Sequence, residues 1–66
     1  MKISVNGEEA FVQEPVSIAA LINQRKINPE AVVVEYNGVI LACRDWEKIE
    51  LKERDTLEII SFVGGG

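Results

Sequence analysis

The sequence predicts an α+β domain, a mixed sheet with one helix laid across it in two layers. Two Asn-Gly pairs, Asn6-Gly7 and Asn37-Gly38, each lie between short runs rich in Ile and Val. That is the strongest short signal for a tight hairpin, since both turn positions tolerate positive φ. Between them, Ile18, Leu21 and Ile22 fall at the i, i+3, i+4 spacing of one helical stripe. A last apolar run, Leu57 to Val63, alternates like a strand. The expected order is ββαββ, with room for a small strand at Ile49–Leu51 before the last one. Strand order stays open, with the first and last strands both candidates for the centre.

Each element has its own justification. In "MKISVNGEEAFV" a tight turn puts Val5 opposite Glu8, Ile3 opposite Ala10 and Met1 opposite Val12. Met1, Ile3, Val5, Ala10 and Val12 then face inward, and Phe11 points the other way. In "EPVSIAALINQRKINPE" Ser17 is the N-cap, its hydroxyl available to an orphan amide. Gln24, Arg25 and Lys26 lie toward the helix end, where cations suit the dipole, and Asn28-Pro29 is expected to stop the helix. Val32 to Tyr36 and Val39 to Leu41 form the second hairpin, whose short arm frays into "ACRDW". In the last run Leu57, Ile59 and Ser61 share one face, and Glu58, Ile60 and Phe62 the other. Residues 1–63 are expected to form the domain and 64–66 a flexible glycine tail.

Composition narrows the function. A chain of 66 residues makes one domain and buries only roughly 60% of its unfolded surface, yet 47% hydrophobic residues suit a folded rather than a disordered chain. Eleven acids against seven bases give a net charge of -4, which argues against nucleic-acid binding and suits a partner with a basic docking surface. One cysteine forbids an internal disulfide and points to a reducing compartment, the cytoplasm. The absence of histidine removes the usual metal ligand and general base. No run approaches the ~20 apolar residues of a membrane span, and Met1-Lys2 leads straight into a strand pattern rather than a signal peptide.

Few side chains suggest chemistry. Cys43 has no histidine beside it to make a nucleophile and reads as a small residue at a strand end. The acids Glu8, Glu9, Glu50, Glu53 and Asp55 match no ligand spacing and read as a solvated face. Trp46 reads as packing over the core edge. Phe11, Ile60 and Phe62 are placed outward by alternation and are expected to form an apolar docking patch.

The sequence closes on Gly64, Gly65 and Gly66, directly after the last strand. From Phe62 to Gly66 an extended chain reaches roughly 13 Å, and without Cβ atoms it fits a narrow cleft. What enters last is the Gly66 carboxylate. Activated as an acyl-adenylate, it accepts sulfur or nitrogen nucleophiles, so the tail itself is the reactive group and another protein supplies the catalysis. A frayed, inert end is the alternative.

These features resemble a known family. "TLEIISFVGGG" looks like the end of ubiquitin-like proteins, and "MKISVNG", "SIAALI", "EYNGVI", "RDW" and "RDTLEI" together resemble the thiamin-biosynthesis sulfur carriers, the ThiS family. The resemblance covers nearly the whole chain. It implies a β-grasp fold with first and last strands adjacent at the centre of the sheet. It implies that an E1-like adenylyltransferase (ThiF-like), using ATP and Mg, adenylates Gly66, with Gly65 and Gly64 as tail. A persulfide donor then supplies sulfur, and a thiazole synthase (ThiG-like) takes it from the C-terminal thiocarboxylate. The protein is thus expected to be no enzyme, to hold no cofactor and to be a monomer when alone. Two departures stand out. Family members often carry Pro-Arg after the second hairpin, where this chain has "LACR", and a glycine where this chain has Arg54. The small subunit of molybdopterin synthase, a ubiquitin-like protein modifier and a pure interaction module are the rival readings.

Overall fold

Both Asn-Gly pairs make the turns their sequence predicts. In the computed structural model, which describes residues 1–62, Asn6 and Gly7 have φ of 53° and 82°, and Asn37 and Gly38 have 48° and 90°. Positive φ at both central residues is the type I′ geometry whose twist matches that of paired strands. The first turn joins β1 (Lys2–Val5) to β2 (Glu8–Phe11), with Val5 opposite Glu8 and Ile3 opposite Ala10 as expected. Ile3 and Val5 are buried, Met1, Ala10 and Val12 pack against the core, and Phe11 is 77% exposed.

The helix α1 (Ile18–Gln24) starts at Ser17, whose hydroxyl accepts from the Ala20 amide at 3.0 Å. Its stripe of Ile18, Leu21 and Ile22 is buried against the sheet. The helix ends earlier than Asn28-Pro29. Lys26 adopts a left-handed φ of 58°, its amide bonds to the Asn23 carbonyl, and the Ile27 amide bonds back to Ile22. This is the Schellman arrangement, here built on lysine rather than glycine. Asn28-Pro29 instead opens a 3-10 turn, Pro29–Ala31, with the Asn28 side chain capping the Glu30 amide.

The second hairpin pairs β3 (Val32–Tyr36) with β4 (Val39–Leu41). "ACRDW" does not fray. Cys43–Lys48 forms a 3-10 helix that carries Trp46 into the core at 3% exposure, so the indole is a core residue and not an edge cover. Ile49–Leu51 supplies only an isolated bridge, Ser17 to Glu50. It is backed by Ile18 N–H to Ile49 and Leu51 N–H to Val16, which tie the helix start to this segment. The final strand, β5, spans Thr56–Ser61. Val63 and the glycines expected to follow it lie outside the described residues.

The two hairpins and the last strand make a five-stranded sheet, in the order β2-β1-β5-β3-β4. β5 lies at the centre, parallel to β1 and antiparallel to β3. Helix and 3-10 segment cover one face, around a core of Ile3, Val5, Val16, Ile18, Leu21, Ile22, Val34, Trp46, Leu51 and Leu57.

One acid expected on a solvated face is buried instead. Asp55 is 8% exposed. Its carboxylate accepts from the Tyr36 hydroxyl and the Lys52 amide, both at 2.8 Å, and from the Asn37 carboxamide at 3.2 Å. A buried carboxylate needs such donors to offset its lost hydration. The network joins the second Asn-Gly turn to the turn that starts β5. Within that turn Arg54 has φ of 71°, a left-handed conformation that suits the glycine found in the resembling family.

Two predictions come from this packing. Leu57 and Leu21 are both within 2% of full burial, so Leu57→Ala or Leu21→Ala should cost roughly 2–5 kcal/mol in denaturant titration. Burial, then the hydrogen bond to Asp55 and its charge, push the Tyr36 hydroxyl up to about 12. The proton is held more tightly in the folded state. Tyr36 thus stabilises the fold below the ordinary tyrosine range near ~10, and that contribution is lost as pH rises from there through the folded value. Tyr36 is the single tyrosine, so its phenolate absorbance should titrate late in the native protein, and earlier in Asp55→Asn.

Candidate functional site

The end of β5 is where the sequence expects chemistry, and the fold fixes that strand from both sides. On the β3 side the pairing runs from Leu57 opposite Tyr36 to Ser61 opposite Val32, and the Phe62 amide adds a bond to Ala31 at 3.0 Å. On the β1 side Ser4 N–H bonds to Asp55 and Asn6 N–H to Leu57, each at 2.9 Å. The asparagines of both turns add side-chain bonds to the same strand. The Asn37 carboxamide oxygen accepts from the Thr56 amide at 2.8 Å, and that of Asn6 accepts from the Ile59 amide at 2.6 Å.

Alternation along β5 points Ile60 and Phe62 to the face away from the helix, where they are 48% and 54% exposed. Register then adds residues that the sequence reading missed. Val33 lies opposite Ile60, Glu35 opposite Glu58, and Ile40 opposite Glu35. Ile40 is 59% exposed. The outer face beside the strand end is therefore an apolar patch of Val33, Ile40, Ile60 and Phe62, with Glu35 and Glu58 adjoining it. The signal was present in the sequence, since a tight Asn37-Gly38 turn pairs Tyr36 with Val39 and so Glu35 with Ile40.

Phe11 does not join this patch. β1 stands between β2 and β5. Phe11 lies opposite Lys2, whose carbonyl accepts from Arg54. Ile60 is six residues further along the chain than Arg54, about 20 Å at the ~3.3 Å rise of a strand. Phe11 faces outward as expected, but at the far end of the sheet on an edge strand. The expected contiguity of Phe11 with Ile60 and Phe62 is thus corrected by strand order. Gly64, Gly65 and Gly66 lie outside the described residues.

Elsewhere the surface offers little chemistry. Cys43 is exposed at the start of the 3-10 helix rather than at a strand end. It lines an open groove of about 240 Å³ together with Ala19, Ile22, Ile27 and Trp46. Among the described residues no group of three or more acids and cysteines is arranged to hold a metal. No helix there is long and apolar enough to cross a membrane.

A mixed five-stranded sheet with its last strand central, parallel to the first, and one covering helix is the β-grasp fold of ubiquitin-like proteins. Comparison with known proteins narrows this class. The model of the ThiS family matches residues 2–66. The sulfur carrier protein ThiS of Bacillus subtilis is 31% identical over 65 residues, which cover 97% of this chain and 98% of that protein. A thiazole synthase of Paramagnetospirillum magneticum is 32% identical over 66 residues, all of this chain but 20% of that protein. The crystal structure of a thiamine biosynthesis protein (ThiS) from Geobacter metallireducens superposes with a TM-score of 0.86 at 32% identity, covering 100% of both chains. The chain belongs to the ThiS family.

Because the patch residues lie outside the core, Ile40→Asp, Ile60→Asp and Phe62→Asp should each leave stability within about 0.5 kcal/mol of wild type. Thermal or denaturant unfolding of the purified variants checks this, and Leu57→Asp serves as the disrupted control.

Proposed function

We propose that the protein is a sulfur carrier of thiamin biosynthesis whose working group is the Gly66 carboxylate. The observation that carries the reading is the central β5, paired with β1 as far as Leu57 and with β3 as far as its last residue, Ser61, five positions before Gly66. A strand fixed on both sides gives whatever follows it a defined origin. Three glycines then offer an unhindered acyl carbon. The family match and the names of the relatives support the thiamin pathway over the molybdopterin one.

The chemistry lies with partners. An E1-like adenylyltransferase binds ATP and Mg. The Gly66 carboxylate attacks the α-phosphorus, and pyrophosphate leaves. The terminal sulfur of a protein persulfide then attacks the acyl carbon and AMP departs with the bridging oxygen. A thiol cleaves the resulting S–S bond, leaving a thiocarboxylate and a disulfide. A thiazole synthase takes up that sulfur, a partnership suggested by relatives that bear this name. The chain itself provides docking and reach, in a reducing compartment such as the cytoplasm. The patch of Val33, Ile40, Ile60 and Phe62 with Glu35 and Glu58 suits an apolar partner surface with a basic rim.

The test uses the cognate adenylyltransferase and ATP. The native chain should release pyrophosphate. A chain lacking Gly66 should not, because its carboxylate is drawn back by about 3.3 Å and reactions fall steeply with ~1 Å of misplacement. Phe62→Asp and Ile60→Asp should weaken binding to the enzyme, whereas Phe11→Asp should bind as the native chain does. Equal pyrophosphate release from the shortened chain would sink the carrier reading.

A further inference from the structure

We infer that Asn6 is a positioning residue for the tail, its side chain standing in for a missing backbone rung between β1 and β5; the inference rests on the sulfur-carrier reading. In a parallel ladder every second residue of one strand donates to a residue of its neighbour and accepts from the residue two further along that neighbour. Asn6 N–H donates to the Leu57 carbonyl at 2.9 Å. The next rung should run from the Ile59 amide to the Asn6 backbone carbonyl. At Asn6, however, the chain has already entered the turn with φ of 53°, and the backbone leaves the sheet. The Ile59 amide donates instead to the Asn6 carboxamide oxygen, at 2.6 Å across 53 residues of sequence.

The rung extends the pairing of β5 with β1 past the last Cα partners, Val5 and Leu57. It falls at Ile59, between the buried Leu57 and the exposed pair Ile60 and Phe62. The strand is thereby gripped from both sides at the level where its outer face becomes the docking patch, since Ile59 is also opposite Val34 on β3. With the rung, docking of Ile60 and Phe62 defines where the following residues are aimed. Without it, β5 is held from the β3 side alone over this stretch, and a docked patch no longer fixes the position of the reacting carboxylate.

The test compares Asn6→Gly, which keeps a residue suited to positive φ and deletes the carboxamide, with Asn6→Asp, which keeps an acceptor in place. In Asn6→Gly, amide exchange at Ile59 should quicken about 10-fold. With the adenylyltransferase and ATP, kcat for pyrophosphate release should fall about 10-fold, while KM for the carrier stays within about twofold. Asn6→Asp should restore both exchange protection and kcat. Native kcat in Asn6→Gly overturns the inference. So does an Asn6→Asp protein as impaired as Asn6→Gly, or a defect confined to KM. If the native chain itself releases no pyrophosphate, the carrier reading fails, and unchanged Ile59 exchange separately overturns the clamp.

Discussion

A strand in the middle of a sheet must satisfy hydrogen bonds on both sides, and here that strand, β5, follows the other four in the described residues. β5 completes the sheet by entering between β1 and β3, joining two hairpins that otherwise share no pairing. Its register against β3 buries Leu57 opposite Tyr36 and Ile59 opposite Val34. Its parallel contact with β1 brings Ile3 and Val5 into the same core. Helix α1 has a continuous floor only once β5 is in place. The strand that holds the domain together is also the one that leads in sequence to the glycines, so stability and the proposed function converge on the same backbone.

Much of this was legible in the sequence. Alternation and the Asn6-Gly7 turn fixed the register of the first hairpin, and Ser17 with Ile18, Leu21 and Ile22 fixed the helix start and its buried face. Other features depended on contacts distant in sequence. Asp55 sits in an acidic run and looks solvated, yet Tyr36 and Asn37, 19 and 18 residues away, enclose it. Trp46 follows a charged turn, but a 3-10 segment turns its ring inward. From the sequence, Asn6 and Asn37 are legible only as turn formers. Their second use, as acceptors for β5 amides, appears only when β5 has a place in the sheet. The apolar patch was half visible. Phe62 and Ile60 followed from alternation, but Phe11 belonged to the other end of the sheet and Ile40 took its place.

The division of labour also has a physical basis. A domain of this size has little stability to spare, and an internal active site would add buried, incompletely paired polar groups. The chain instead keeps Asp55, the one buried carboxylate among the described residues, well supplied with donors. Exposed Phe11, Ile40, Ile60 and Phe62 lie on the face of the sheet away from the helix, and a net charge of -4 favours solubility. In the proposed function, reactive chemistry is left to partners that meet the protein at its surface.

In the proposed function sulfur travels on the Gly66 carboxylate and on no other group. The most direct measurement is fragment mass spectrometry of the chain after incubation with its adenylyltransferase, ATP and a persulfide donor. One oxygen should be exchanged for sulfur in the fragment that contains Gly66, in the native chain and equally in Cys43→Ala. Sulfur found on Cys43, with the Gly66 fragment unchanged in mass, would contradict it.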